Sequence, residues 1–369
     1  MVGAGQLARM THQAAIDLGV ELRVLAATSQ DPAVLAGAVH QIGSPAELAD
    51  LRRLAEGADV VTFDHERVPP ELLARLEADG VNLAPPARAK LLAQDKAHQR
   101  EHLAALGLPV PPFALARGLR EIEEFGSLHG WPLVAKAPRG GYDGRGVTVV
   151  ADAKVASAVL GELPDGVLLE PLLAIEQELA VLVARTRVGE QVAYPVAQTV
   201  QRDAMCREIR VPAPIPPQLA DKARSLALEI AERSGAVGLL ALELFVVDGL
   251  LLVNELALRP HNSGHFTIEG SCTSQFEQHL RAVLGWPLGV PDLVAPAVVT
   301  VNVVGPADGA QPAERVAEAL AVPGVHLHLY GKEPAPGRKL GHVTACGAQI
   351  AEVAARAREA ASILEGGSA

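Results

Sequence analysis

Aromatic residues make up only 3% of this 369-residue chain. Stacking platforms for nucleic-acid bases are therefore not expected, and the core has to be built from Ala, Val and Leu. Positive charge is also short: 32 Lys and Arg stand against 43 Asp and Glu, a formal net charge of −11. That balance repels a polyphosphate backbone, so no nucleic-acid partner is expected, although a local cluster can still hold a small anion. Cys206, Cys272 and Cys346 are odd in number, far apart and without metal-ligand spacing. They exclude a disulfide framework and a zinc site and point to a reducing cytoplasm. Long hydrophobic runs are missing: the most apolar, Ala236 to Val247, is short and interrupted by Glu243, so no membrane partner is expected. The opening MVGAGQLARM has no apolar export segment. The expectation is a soluble, unexported protein whose start reads as truncated, since only Met1 and Val2 precede Gly3. Internal repeats and low-complexity tracts are absent, as are the G-x-x-x-x-G-K-[ST] and G-x-S-x-G signatures.

What is present suits a globular chain of about two or three domains, with 49% hydrophobic and 20% charged residues. The first ninety residues alternate short apolar strands (Leu22 to Leu25, Val60 to Phe63) with Ala/Leu-rich helical stretches, the pattern of a small parallel α/β layer. One helix is predicted from about Ala87 to Leu106, closed by Gly107 and Pro109. Strands WPLVAK (131–136) and GVTVV (146–150) flank PRGGYDGRG, and GVLLEP (166–171) follows an Ala-rich helix. ELAVLVAR and QVAYPVAQ read as an antiparallel pair. Pro216-Pro217 opens a helix with Leu219, Ala223, Leu226 and Ile230 on one face, and Gly235 stops it. LLALELFVV and LLLVNEL then form a hairpin through Asp248-Gly249, and the tail holds a strand (Val298 to Val303), a helix, a basic hairpin and a C-terminal helix.

Two glycine loops invite a ligand. GAGQLA (3–8) fits a dinucleotide fingerprint on paper but lacks a leading strand and the acid that would hold a ribose. A nest of backbone amides at a helix start, holding phosphate or only turning the chain, is the alternative. In PRGGYDGRG (138–146), Asp143-Gly144 alone makes a hairpin turn, yet Gly140, Gly141 and Gly146 are surplus to it. Surplus glycine suggests close approach by a ligand. Lys136 at the end of the preceding strand would face whatever the loop covers, and glycine amides with Arg145 would add donors for phosphate oxygens.

Glu243 lies in an apolar strand and Glu255 ends its partner; buried carboxylates need a counter-charge or a cation. A two-residue Asp248-Gly249 loop would set Glu243 opposite Asn254 and send Glu255 to the other face. A three-residue loop, Val247-Asp248-Gly249, would set Glu243 opposite Val253 and make Glu255 its same-face diagonal neighbour, roughly 7 to 8 Å away. The three-residue loop is predicted, because that spacing suits Mg²⁺. The alternative is a Glu255 held by Arg259. LALRPHNSGHFT (256–267) reads as a rigid polar loop beside this pair rather than a His-x-x-x-His metal helix, because Pro260 and Asn-Ser-Gly interrupt it.

A lysine at a strand end, a glycine loop, a strand-ending Glu170 and two metal-spaced carboxylates, in that order, resemble the ATP-grasp superfamily, in which two antiparallel sheets clamp ATP. Within it, GGYDGRG, NELALRPHNSGH and YGKEPAPGRKLGH resemble the 5-(carboxyamino)imidazole ribonucleotide synthases of purine biosynthesis, over most of the chain. The implied fold class is α/β and α+β. An N-terminal Rossmann-like domain (1–89) would precede an ATP-grasp region (90–284) with a mobile lid (112–170), followed by a C-terminal α+β domain (285–369).

The resemblance implies that Lys96 and Lys136 contact ATP and that Gly141, Tyr142, Asp143, Gly144, Arg145 and Gly146 cover its phosphates. Glu170, Pro171, Leu172 and Leu173 would form the adenine hinge, and Glu178 would reach the ribose. Glu243 and Glu255 would bind one or two Mg²⁺ ions beside Asn254. ATP would activate bicarbonate as carboxyphosphate, and the amine of aminoimidazole ribonucleotide would be carboxylated. Lys332, Arg338 and Lys339, with amides of the Gly3 to Leu7 turn including Gln6 and Leu7, are candidates for the ribonucleotide's phosphate. Asp64 would lie at its ribose end, with His261, Asn262 and Ser263 beside the site. Tyr142, Asp143, Arg145 and Arg259 would face the imidazole and the carboxyphosphate as catalytic candidates. A homodimer is also implied. The chain departs from the family's pattern at Gln198, Thr199 and Gln201 (usually a Glu-Asn pair and a His), at Asp64 and Arg67 (usually Glu and Asn), at Ala8 (Gly) and at Leu258 (Pro).

Overall fold

The computed structural model describes residues 1–141, 146–163, 166–306, 309 and 311–367, which form three sheets. In the first layer, β1 (Arg23–Ala26) and β2 (Val39–Ile42) pair in parallel. Val2 bridges Leu25 and Phe63, and Val61 bridges Leu83, all in parallel. The parallel reading holds, though Val60 to Phe63 contributes bridges rather than a full strand. β2 escaped sequence reading because it is mostly exposed and shows no apolar alternation.

The second sheet is antiparallel, with β3 (Ala114–Ala116), β4 (Leu133–Lys136), β5 (Val147–Val150) and β6 (Val167–Pro171) in the order β3-β6-β4-β5. Ile122 and Phe125 of the helix Leu119–His129 pack on its Leu133, Ala135 and Leu169. The β4–β5 ladder runs one step past Lys136 and Val147, where Ala137 N–H donates to Gly146 O at 2.7 Å. Gly140 and Gly146, at φ +79° and +74°, hold the left-handed backbone that glycine adopts without a Cβ clash. Tyr142, Asp143, Gly144 and Arg145, and so the Asp143-Gly144 turn, lie outside the described residues.

The third sheet holds β7 (Gln177–Arg185), β8 (Gln191–Ala193), β9 (Ala197–Arg202), β10 (Met205–Val211), β11 (Gly238–Val247), β12 (Leu250–Ala257), β13 (Ala297–Val304), β14 (Val325–Leu329) and β15 (Lys339–Gly347). Its antiparallel order is β12-β11-β7-β9-β10-β13-β15-β14, with β8 beside β7. The tail strands thus continue the central sheet, joined to it where β10 pairs with β13. The helix Pro217–Ser234 starts at a proline and stops at Gly235, as expected. Its Ala223, Ala227 and Ile230 pack on Leu179, Val181 and Leu242, with Leu219 and Leu226 at the margin. The helix Ile350–Leu364 covers Val299, Val301 and Val343.

The single helix predicted over Ala87 to Leu106 is in fact two, Ala87–Gln94 and Lys96–Ala105. Asp95 breaks it by taking an extended backbone and accepting the N–H groups of Ala97 and His98, both at 3.0 Å, as an N-cap. The break leaves Lys96 at a helix start, with its N–H on Pro138 O (2.8 Å), while Arg139 Nε reaches Asp95 Oδ2 (2.8 Å). The entry to the glycine loop is thereby tied to this helix. Among the described residues, no helix is long and apolar enough to cross a membrane.

Candidate functional site

The β11–β12 hairpin turns through Asp248 and Gly249, both at positive φ (49° and 71°), so Val247 pairs with Leu250 across a two-residue loop. This overturns the predicted three-residue loop: Asp-Gly suits the turn whose twist matches the strands. The ladder then shifts register. Leu244 faces Val253 but Glu243 faces Glu255, leaving Asn254 as the extra residue of a β-bulge. The carboxylates therefore share a face after all, directly opposite rather than diagonal.

Cations wall this pair. Lys96 Nζ lies 2.5 Å from Glu255 Oε2, and Asn254 Nδ2 donates to Glu243 Oε2 at 3.4 Å. Lys136 Nζ, from the second sheet, donates to Asn254 Oδ1 (3.2 Å) and pairs with Glu170 Oε2 (2.6 Å). Glu170 is 2% exposed, and its Oε1 takes Arg100 Nε at 2.7 Å. Burial raises the Glu170 carboxyl, but Arg100 and Lys136 more than offset it and hold the group below its ordinary value. The Glu170 side chain is thus engaged in the protein, and Leu172 N–H is already given to Pro132 O (3.3 Å). A base at the hinge would have to use other backbone groups of Pro171 to Leu173.

On β7, Glu178 faces Thr199 and Phe245 on the neighbouring strands and accepts from Gln201 Nε2 at 3.1 Å. Burial raises its pKa. Gln201 therefore stands at the site despite being a substitution in the family's pattern. Glu243 is pushed up to about 7, first by burial and then by Glu255 and Glu178, with Lys96 and Lys339 opposing. A raised carboxyl stabilises the fold while it keeps its proton, so that contribution is full below about pH 4.5 and is lost as pH rises towards 7. In metal-free protein the loss should reach at most about 3 kcal/mol, less because 29% of the side chain stays open to water. Urea midpoints across that range should fall in the native chain and stay flatter in Glu243→Gln; equal slopes would refute the coupling.

The loop after β12 sits beside the pair, as expected. His261 Nε2 lies 3.6 Å from Glu243 Oε1 and its Nδ1 contacts Ser263 Oγ at 2.9 Å. Burial, then Arg259 and Lys339, drive its pKa down to about 3, so the ring is neutral. Gln275, fully buried, clamps the loop: its Oε1 accepts His261 N–H (2.9 Å) and its Nε2 donates to His261 O (2.8 Å). Asn262 Nδ2 is buried without a hydrogen-bond partner. His265 turns inward and stacks on His342 with ring centres 4.7 Å apart.

The remaining candidates have other partners. Glu255 is not held by Arg259, whose Nε lies 3.3 Å from Glu66 Oε1 while its Nη1 donates to Pro260 O. Glu66 also binds the buried Lys90. Asp64 is 8% exposed and accepts Gly5 N–H at 2.8 Å. The Gly3 to Leu7 turn is therefore partly closed by the protein's own carboxylate, and Gln6 and Leu7 open the helix Gln6–Asp17. In the turn between β14 and β15, Lys332 Nζ lies over the Tyr330 ring (5.5 Å) and Arg338 donates to Glu333 O (3.0 Å). Lys339 is near enough for its charge to reach Glu243 and His261.

Arg100 and Gln275 were missed. A signal existed for Arg100, which lies one helical turn after Lys96 and so on the same face; Gln275 lies far along the chain and carried none.

Residues 101–276 match the family model described as ATP-grasp domain, residues 1–94 the ribonucleotide synthetase preATP-grasp domain, and residues 298–356 the phosphoribosylaminoimidazole carboxylase C-terminal domain. The N5-carboxyaminoimidazole ribonucleotide synthase of Mycobacterium bovis is 52% identical over 377 residues, spanning 100% of this chain and 87% of the relative. This chain belongs to the N5-carboxyaminoimidazole ribonucleotide synthase family. Another synthase of this name, from Corynebacterium ammoniagenes, is 43% identical across 99% of this chain and 91% of its own length. The crystal structure of the Thermus thermophilus synthetase superposes with a TM-score of 0.87 at 38% identity, covering 96% of this chain and 97% of that one. A synthase from Aspergillus clavatus, in complex with ADP and 5-aminoimidazole ribonucleotide, gives 0.89 at 32% identity, with 99% and 98% covered. The family's ATP-grasp fold accounts for the pair of antiparallel sheets between which Lys136 and the carboxylates meet.

Proposed function

We propose that this chain carboxylates the exocyclic amine of aminoimidazole ribonucleotide, using ATP and bicarbonate, to give 5-(carboxyamino)imidazole ribonucleotide in de novo purine biosynthesis. The observation that carries the reading is the bulged hairpin that sets Glu243 opposite Glu255, with Lys96 on Glu255, the charge of Lys339 acting on Glu243, and Lys136 on the Asn254 between them. The γ-phosphoryl group of ATP would pass to a bicarbonate oxygen, releasing ADP. The amine nitrogen would then attack the carbon of carboxyphosphate, expelling phosphate and losing a proton. Such chemistry needs charge neutralisation, alignment and exclusion of water rather than a protein nucleophile.

Lys96 and Lys136 would take phosphate oxygens, and Glu178 with Gln201 would take ribose hydroxyls. A pair of carboxylates suits Mg²⁺, an ion that takes one or two carboxylates and completes its shell with phosphates and water. When bound by Glu243 and Glu255, one or two Mg²⁺ ions would neutralise the triphosphate. The second sheet (residues 112–170) would close as a lid, bringing Gly141, Gly146 and the segment Tyr142 to Arg145 over the phosphates. Lys339, with Lys332 and Arg338, would hold the ribonucleotide's phosphate, and His261, Asn262, Ser263 and Arg259 would line the space between the two substrates. The same reading divides the chain at 89/90 and 284/285 and makes it a cytoplasmic homodimer.

Product analysis tests the activity. With labelled bicarbonate, label should enter the ribonucleotide only when ATP is present, and phosphate release should rise on adding aminoimidazole ribonucleotide. Incorporation from labelled formate instead, or ATP consumption indifferent to the ribonucleotide, would sink the proposal.

A further inference from the structure

None of the steps above uses Arg100, yet it is 2% exposed and joins two parts of the site. Its Nε donates to Glu170 Oε1 at the end of β6 (2.7 Å), and its Nη2 donates to the carbonyl of Asn254 on β12 (2.6 Å). Asn254 is the extra residue of the bulge, and a bulged residue is left out of the regular ladder. Its part-buried carbonyl takes a donor from outside the sheet, and Arg100 supplies it. The side chain of the same residue is held by Lys136 through Oδ1 and reaches Glu243 through Nδ2. Glu170 stands behind both cations, with one carboxylate oxygen on each. Without the bulge, the two-residue turn would set Glu243 opposite Asn254 and send Glu255 to the far face.

We propose that Arg100 is a positioning residue for the carboxylate pair: by gripping the Asn254 carbonyl against Glu170 it fixes the bulge that keeps Glu243 and Glu255 face to face. The proposal rests on the reading of that pair as metal ligands. The planar guanidinium is suited to the task because it offers divergent donors on separate nitrogens in a fixed geometry, whereas all the donors of a lysine ammonium sit on one nitrogen.

The test reads metal binding without turnover. Mn²⁺ is titrated into the full chain in the presence of ADP, and free ion is followed by its paramagnetic resonance signal. ADP affinity without metal is measured alongside. Arg100→Gln should weaken Mn²⁺ binding about 10- to 100-fold, the usual loss for a group that orients metal ligands, while metal-free ADP affinity changes by no more than about twofold. Arg100→Lys should fall between native and Gln. Unchanged Mn²⁺ affinity, or equal losses for ADP and Mn²⁺, would overturn the role of Arg100. If Arg100→Gln does not fold, Arg100→Lys keeps the buried charge and decides the matter by the same two outcomes. A native chain that binds ADP but no Mn²⁺ would overturn the metal reading itself, and this proposal with it.

Discussion

Glu255→Gln should lower ribonucleotide-dependent phosphate release by about 10³-fold or more, while the urea midpoint stays close to that of the native chain. The amide keeps the shape of the side chain and can still accept from Lys96 Nζ through its oxygen, now 2.5 Å away. The side chain is 41% exposed, so the structural cost is small. What disappears is the second negative charge opposite Glu243, and with it one of the two carboxylates proposed to hold a divalent ion. The remaining carboxyl should also titrate lower, because Glu255 is the largest charge raising Glu243. Turnover within about tenfold of native would remove Glu255 from the metal site and leave it a surface partner of Lys96.

The largest stability effect is expected at Glu170. Its side chain is 3% exposed and stands between Arg100 (2%) and Lys136 (11%). Glu170→Ala would leave two buried cations with no counter-charge, a situation that costs about 3 to 5 kcal/mol. Glu170→Gln should cost less, since it keeps the packing and one acceptor. Both variants should lose turnover, because Lys136 is free to leave Asn254 and the space where phosphate is expected. Denaturant midpoints and phosphate release measured on the same samples check this. A Glu170→Ala chain less than about 1 kcal/mol weaker than native would mean that water reaches the triad and screens it.

Much of the architecture was legible because it is written locally. Pro217 and Gly235 bound their helix, and the dense apolar strands on either side of Asp248-Gly249 form the expected hairpin. The site was legible in its residues but not in its devices. Glu243 and Glu255 were expected on one face through a longer loop; the structure achieves this with the tighter loop and a bulge at Asn254. A bulge leaves little trace in sequence, since it depends on a partner such as Arg100, which lies 154 positions away. The break at Asp95 was locally readable: an Asp followed by free amides is an N-cap signal, outweighed by helix-forming neighbours on both sides. The Gly3 to Leu7 turn could not be judged from its own residues, because the carboxylate that occupies Gly5 N–H comes from Asp64.

The pairing of β10 with β13 bears on how the chain would behave if cut. Glu208 to Val211 are laddered to Val298 to Val301, and Glu208 also holds Arg358 of the last helix through two hydrogen bonds of 2.7 and 2.9 Å. Arg207 adds a two-pronged grip on Glu365. The segment 286–296, which connects the two parts, contains no strand or helix. A protease that severs it should yield two fragments that still migrate as one particle, with the tail's amides exchanging as slowly as those of the central strands. Separate expression of the two pieces is then a route to an enzyme reconstituted by complementation, in which the basic hairpin can be labelled or exchanged independently of the ATP-binding half.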